Sequence, residues 1–129
     1  MGIQKFGRRP MLKQPDMNYM DAPSTGTKLT FPGVYNLSST AALKTWILQA
    51  PRKNQLGQTM IINCLRATTT LLARVNTSAC SFYSSVGSTS VTRDAVRFNR
   101  ADMSLTIMAL TTAKVKAIAS HASPNITTS

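Results

Sequence analysis

The chain has 129 residues and a net charge of +11, from fifteen Lys and Arg against four acidic residues. That is one domain, able to bury roughly two thirds of its unfolded surface, with a field that favours polyanionic partners. There is no glutamate, the aspartates Asp16, Asp21, Asp94 and Asp102 are scattered, and His121 is the single histidine, so neither a paired acid–base site nor a metal-ligand cluster can be assembled locally.

No catalytic residue, metal or cofactor is therefore assigned. Cys64 and Cys80 have neither zinc-site nor CxxC spacing, and Cys64, inside an apolar run, reads as a small core residue. The first residues lack the apolar core of a signal peptide, and no stretch approaches the ~18 apolar residues of a membrane span. The expected compartment is intracellular.

In chain order, residues 1–15 carry Lys5, Arg8, Arg9 and Lys13 among Gly and Pro, a basic arm that is either solvated or laid along nucleic acid. Residues 16–121 form the body and 122–129 a polar tail. Two extended runs, 17–21 and 27–31, flank a turn bearing Pro23 and Gly26 and predict a β-hairpin. Residues 38–49 read two ways, as a capped helix through Ala41, Ala42, Leu43 and Leu48, or as a short strand with Trp46 toward the core. Residues 51–57 form a basic turn in either case. Residues 58–67 and 71–76 predict two antiparallel strands, and 77–90 a Ser/Gly-rich loop.

The cleanest pattern lies in residues 92–110. Arg100, Asp102, Ser104 and Thr106 alternate with Ala101, Met103, Leu105 and Ile107, as in a half-buried strand. In 113–121, Val115, Ile118 and Ala119 fall at helical spacing with Lys114 and Lys116 outside, predicting a short C-terminal helix. The expected fold is α+β and strand-dominated: an N-terminal β-hairpin, an antiparallel meander and one terminal helix. One helix covers little of such a sheet, so a partner subunit is expected to bury the remainder.

Several strings in this order resemble the coat proteins of the small single-stranded RNA bacteriophages, the leviviruses. They are STGTKLT at 24–30, ALKTWIL at 42–48 with Arg52 after it, TMIINCLR at 59–66, NTSAC at 76–80, SVTR at 90–93 and DMSLTI at 102–107. The resemblance spans about residues 16 to 119 and implies a strand at Trp46, a hairpin beside a five-stranded antiparallel sheet, and a homodimer joined through the final strand. It further implies an icosahedral capsid in which the sheet faces a packaged single-stranded RNA genome. Such a protein belongs to the virion, is assembled in the host cytoplasm, and in this family also represses translation by binding an RNA hairpin. Two departures stand out: the basic arm is additional, and too few residues follow the final strand for the family's two terminal helices.

On that orientation the polar faces of the strands meet RNA. They present Asn63, Thr70, Arg74, Arg100, Asp102 and Ser104, with Arg66 added because it ends its strand beside a turn. Arginine suits the task through bidentate phosphate contacts and stacking on unpaired bases; the alternative for each is a solvated sheet-face charge. Met103, Leu105 and Ile107 are assigned to the apolar side of the dimer strand, toward the helical layer. Cys80 falls in the loop that surrounds the family's symmetry axes, where it is either one end of an inter-dimer disulfide or a free thiol. The competing reading is a monomeric basic RNA-binding protein, such as a ribosomal protein.

Overall fold

The computed structural model describes residues 18–21, 24–39, 43–68, 70, 72–83 and 93–127. Alternation of buried and open positions recurs through them: Tyr35 and Leu37, Trp46 and Leu48, Met60 and Ile62, Ala73 and Val75, and Leu105, Ile107 and Ala109 are all buried with more open residues between. Segments of that kind form strands with one packed face. In chain order they are β1 (Asn18–Asp21), β2 (Lys28–Leu29), β3 (Gly33–Ser38), β4 (Lys44–Gln49), β5 (Thr59–Arg66), β6 (Ala73–Ser78), β7 (Ser81–Phe82), β8 (Ala95–Phe98), β9 (Ser104–Thr111), β10 (Lys114–His121) and β11 (Asn125–Thr127). A 3-10 turn, Lys53–Gln55, lies between β4 and β5.

The strands form two mixed sheets. Sheet A has six strands in the order β1-β3-β5-β9-β10-β7, and sheet B five in the order β11-β8-β6-β4-β2. From β1 to β6 the chain alternates between the sheets, so each strand pairs in parallel with the strand two before it: β1 with β3, β3 with β5, β2 with β4, and β4 with β6. Parallel partners need a long crossover, and here the crossover is a strand of the opposite sheet. Of the later strands, β9 on β5, β10 on β9, β8 on β6 and β11 on β8 pair antiparallel, and β7 closes the edge of sheet A parallel to β10.

The core lies between the sheets. Tyr35, Leu37, Met60, Ile62, Cys64, Leu105 and Ile107 from sheet A meet Leu29, Trp46, Leu48, Val75, Val96 and Phe98 from sheet B. Tyr35 brings a hydroxyl into this layer and satisfies it locally: its Oη accepts from the Thr30 N–H at 2.9 Å and donates to the Thr30 carbonyl at 3.1 Å. Gly33 is what lets the ring lie there, since a Cβ would collide with the Tyr35 ring and sit 2.8 Å from the Thr30 carbonyl oxygen.

Several expectations are overturned. Strand dominance holds, but the fold is not an α+β arrangement with a hairpin, a five-stranded antiparallel sheet and a terminal helix. The two arms of the expected N-terminal hairpin, β1 and β2, lie in different sheets, as do β5 and β6. The segment predicted as a helix is β10. Lys114, Val115, Lys116 and Ala117 alternate outward and inward as well as they follow a helical stripe, and pairing along β9 selects the alternation. Ile118, which the helix would have buried, is exposed.

The long strand of residues 92–110 is broken by a turn at Arg100–Asp102 into β8 of sheet B and β9 of sheet A. Asp102 takes a left-handed φ of 63°, which Asp tolerates better than most residues. Its N–H donates to the Cys64 carbonyl at 2.9 Å, and the Cys64 N–H donates to the Met103 carbonyl at 2.8 Å, so β5 anchors the turn. Dimerisation through the final strand is excluded for β9, which is flanked by β5 and β10; Met103, Leu105 and Ile107 face sheet B instead of a helical layer. Within the expected polar tail, Asn125–Thr127 adds a strand to sheet B. The basic arm lies outside the described residues.

Candidate nucleic-acid interface

The outer face of sheet B collects positive charge through its register. With Trp46, Val75, Val96 and Phe98 turned inward, Thr45, Arg74 and Arg97 turn outward, and they are direct cross-strand partners in one row that ends at Asn125 of β11. A second row holds Ile47, Asn76 and Ala95, with Lys28 beside Ile47. Arg93 precedes β8 and donates from Nη1 to the Ile126 carbonyl at 3.2 Å.

Arg74 and Arg97 are the unusual pair. Directly opposed residues on one sheet face have Cβ atoms roughly 4.5–5.5 Å apart, and like charges there destabilise the sheet. The Nε atoms of both arginines and Oδ1 of Asn76 are also buried without a hydrogen-bond partner, a state that costs free energy until an acceptor or donor is supplied. An anion laid across the row relieves the opposition of like charges, whereas Asn76 Oδ1, an acceptor, needs a donor. At the end of the row a cleft of about 200 Å³ opens between Leu72, Arg97, Asn99, Met103, Ser123 and Asn125.

Sheet A presents a different outer face. Asn36, Asn63, Ser104 and His121 are successive cross-strand partners. Asn36 donates from Nδ2 to the Tyr19 hydroxyl at 2.9 Å and accepts at Oδ1 from Asn63 Nδ2 at 3.0 Å. This neutral polar row adjoins Val34, Ile61 and Thr106.

The predicted RNA-binding residues are therefore not on one surface. Asn63 and Ser104 meet as direct partners on sheet A, while Arg74 lies on the outer face of sheet B, on the other side of the core. Arg66 is exposed at the end of β5 opposite Ser38. Thr70 is exposed between β5 and β6, its hydroxyl 3.2 Å from that of Thr68. Arg100 and Asp102 are exposed in the β8–β9 turn.

Arg97 was missed, because alternation counted back from Arg100 gives it the opposite parity. A local signal exists: Val96 and Phe98 enclose it, and two buried apolar neighbours force the residue between them outward.

Both cysteines are free; Cys64 is in the core and Cys80 is half-buried against it. Burial pushes each thiol up to about 11 from 9.0, against a smaller opposing backbone hydrogen bond, and the Asp102 charge adds a small upward push at Cys64. Thr77 Oγ1 donates to the Cys80 carbonyl at 2.6 Å and holds that segment to the end of β6.

Comparison of the chain with models of known protein families finds no match, and comparison with curated proteins finds none either.

Proposed function

We propose that the chain is a coat-type structural protein that binds and packages single-stranded RNA, a virion component assembled in the host cytoplasm from copies of itself. The observation that carries the RNA part is the opposed Arg74–Arg97 pair with its unpartnered Nε atoms, on a chain of net charge +11. Phosphate neutralisation by such residues supplies most sequence-independent affinity for nucleic acid.

Support for the assembly part comes from the sequence strings that resemble those of the RNA-phage coat proteins, and it does not extend to that family's fold. The two outer faces also differ in a way that suits a shell. Sheet B carries the opposed Arg74–Arg97 pair, whereas sheet A, with Lys114 and Lys116 outward on β10, also sets exposed Tyr19 and Leu65 beside half-buried Val34 and Ile61. The proposal gives sheet B to RNA and sheet A to neighbouring copies. Recognition of one particular RNA hairpin is a further step, for which the Asn36–Asn63–Ser104 row offers amide and hydroxyl groups.

One observation favours the second reading, a monomeric basic RNA-binding module. Over the described residues the sheet edges β1, β2, β7 and β11 are all short, which discourages edge-to-edge association. Sedimentation of the expressed protein with a nuclease challenge separates the two. Fast-sedimenting particles holding nuclease-protected RNA support the coat reading; a species that stays monomeric at every concentration, with salt-sensitive RNA binding, replaces it with the module.

A further inference from the structure

We propose that the cleft beside Arg97 takes the base of one unpaired RNA nucleotide while the Arg74–Arg97 pair clamps the adjoining phosphate; this deepens the RNA-binding part of the reading above and rests on it. Leu72 directly precedes β6, which carries Arg74, and Asn99 directly follows β8, which carries Arg97, and both line the cleft with Arg97. Asn125 is the direct partner of Arg97. The arginine row and the cleft are thus one continuous surface, with Arg97 belonging to both.

The lining fits a base. Leu72 offers apolar surface to its ring, with the nearly buried Met103 at the core side of the cleft, and the amides of Asn99 and Asn125 each carry a donor and an acceptor, the combination that reads a base edge. At about 200 Å³ the cleft is smaller than the roughly 300–1,000 Å³ of sites that enclose drug-sized ligands. One unstacked base is a better match, and unpaired bases are the usual target of RNA-specific recognition.

The phosphate end follows from charge. Arg74 and Arg97 are direct cross-strand partners, and guanidinium groups donate N–H bonds to tetrahedral anions. A bound phosphate would relieve the opposition of like charges across the Arg74–Arg97 pair.

The test uses the full chain, stripped of RNA by nuclease and high salt, and fluorescence anisotropy with a short single-stranded RNA and an abasic backbone of equal length. The RNA should bind about tenfold tighter than the abasic strand, the order of one base contact. Asn99→Ala and Asn125→Ala, checked for folding by circular dichroism, should erase that advantage and leave abasic binding unchanged. The double change Arg74→Ala and Arg97→Ala should weaken both strands alike and lower the salt slope by about 0.7, one phosphate on a single strand.

Equal binding of RNA and abasic strand by the parent would overturn the proposal, as would an unchanged salt slope in the arginine variant or competition by an oligoglutamate as strong as that by RNA. A protein that shows the expected binding yet forms no particles would remove the coat reading and leave the nucleotide site standing.

Discussion

Replacing Arg97 with Met should make the RNA-free protein more stable, an unusual outcome for a half-buried residue in a sheet. Arg97 directly opposes Arg74, and opposed charges of one sign cost roughly 0.2–1 kcal/mol. Its Nε is buried without a partner, a deficit worth about 1–3 kcal/mol when fully desolvated. Because Arg97 as a whole is half-buried rather than buried, the low end of each range applies, and the combined relief is on the order of 1 kcal/mol.

Methionine keeps an unbranched stem over the same ground, so little packing is lost. The assay is urea denaturation at two salt concentrations, for which the Debye length falls from about 30 Å at ~0.01 M to about 3 Å at ~1 M. Arg97→Met should raise the midpoint at low salt without changing the slope, and the gain should shrink at high salt as the repulsion in the parent is screened. A variant less stable than the parent at low salt would refute the reasoning, because it would mean that Arg97 supports the sheet rather than straining it.

Leu105→Ala should cost about 2–5 kcal/mol, the usual range for a fully buried leucine, since Leu105 is 1% exposed in the middle of the core. Its effect belongs to folding; a near-neutral urea midpoint accompanied by lost self-association would contradict the placement of β9 inside sheet A. The cysteines add a pH dependence. Folding holds both thiols protonated up to about 11, whereas the unfolded chain releases those protons near 9.0. Their contribution is thus complete below about pH 9 and lost as pH rises toward about 11. The urea midpoint should fall over that window and fall less in the double variant Cys64→Ala and Cys80→Ala; equal losses in the two proteins would show that the thiols play no part.

What the sequence made legible was the inner face, and what it hid was the pairing. Alternation around Trp46, Cys64 and Leu105 identifies strands and their buried sides, and these residues are in the core. The same alternation is silent on whether a neighbour runs parallel or antiparallel, and on which sheet a strand joins. Proximity in sequence then suggested hairpins at 17–31 and 58–76, where the chain instead crosses the core to the opposite sheet.

Site prediction failed for a related reason. A period of two survives only while the strand is unbroken, and the turn at Asp102 separates Arg97 from Ser104 and sends them to different sheets. Arg74 and Arg97 became neighbours through the β6–β8 pairing, a contact that spacing along the chain does not encode.

The alternating passage from β1 to β6 also governs how the molecule responds to being cut. A break in the connection between β5 and β6 leaves an N-terminal piece with strands in both sheets and a C-terminal piece with strands in both sheets. The two remain joined by β5 against β9 on one side and β4 against β6 on the other. Neither fragment owns a complete layer, and each carries half of the hydrophobic interior that the other must cover. The fold behaves as two interleaved combs: a nick at that crossing does not release a half, and two separately made halves have a shared core as the reason to find each other.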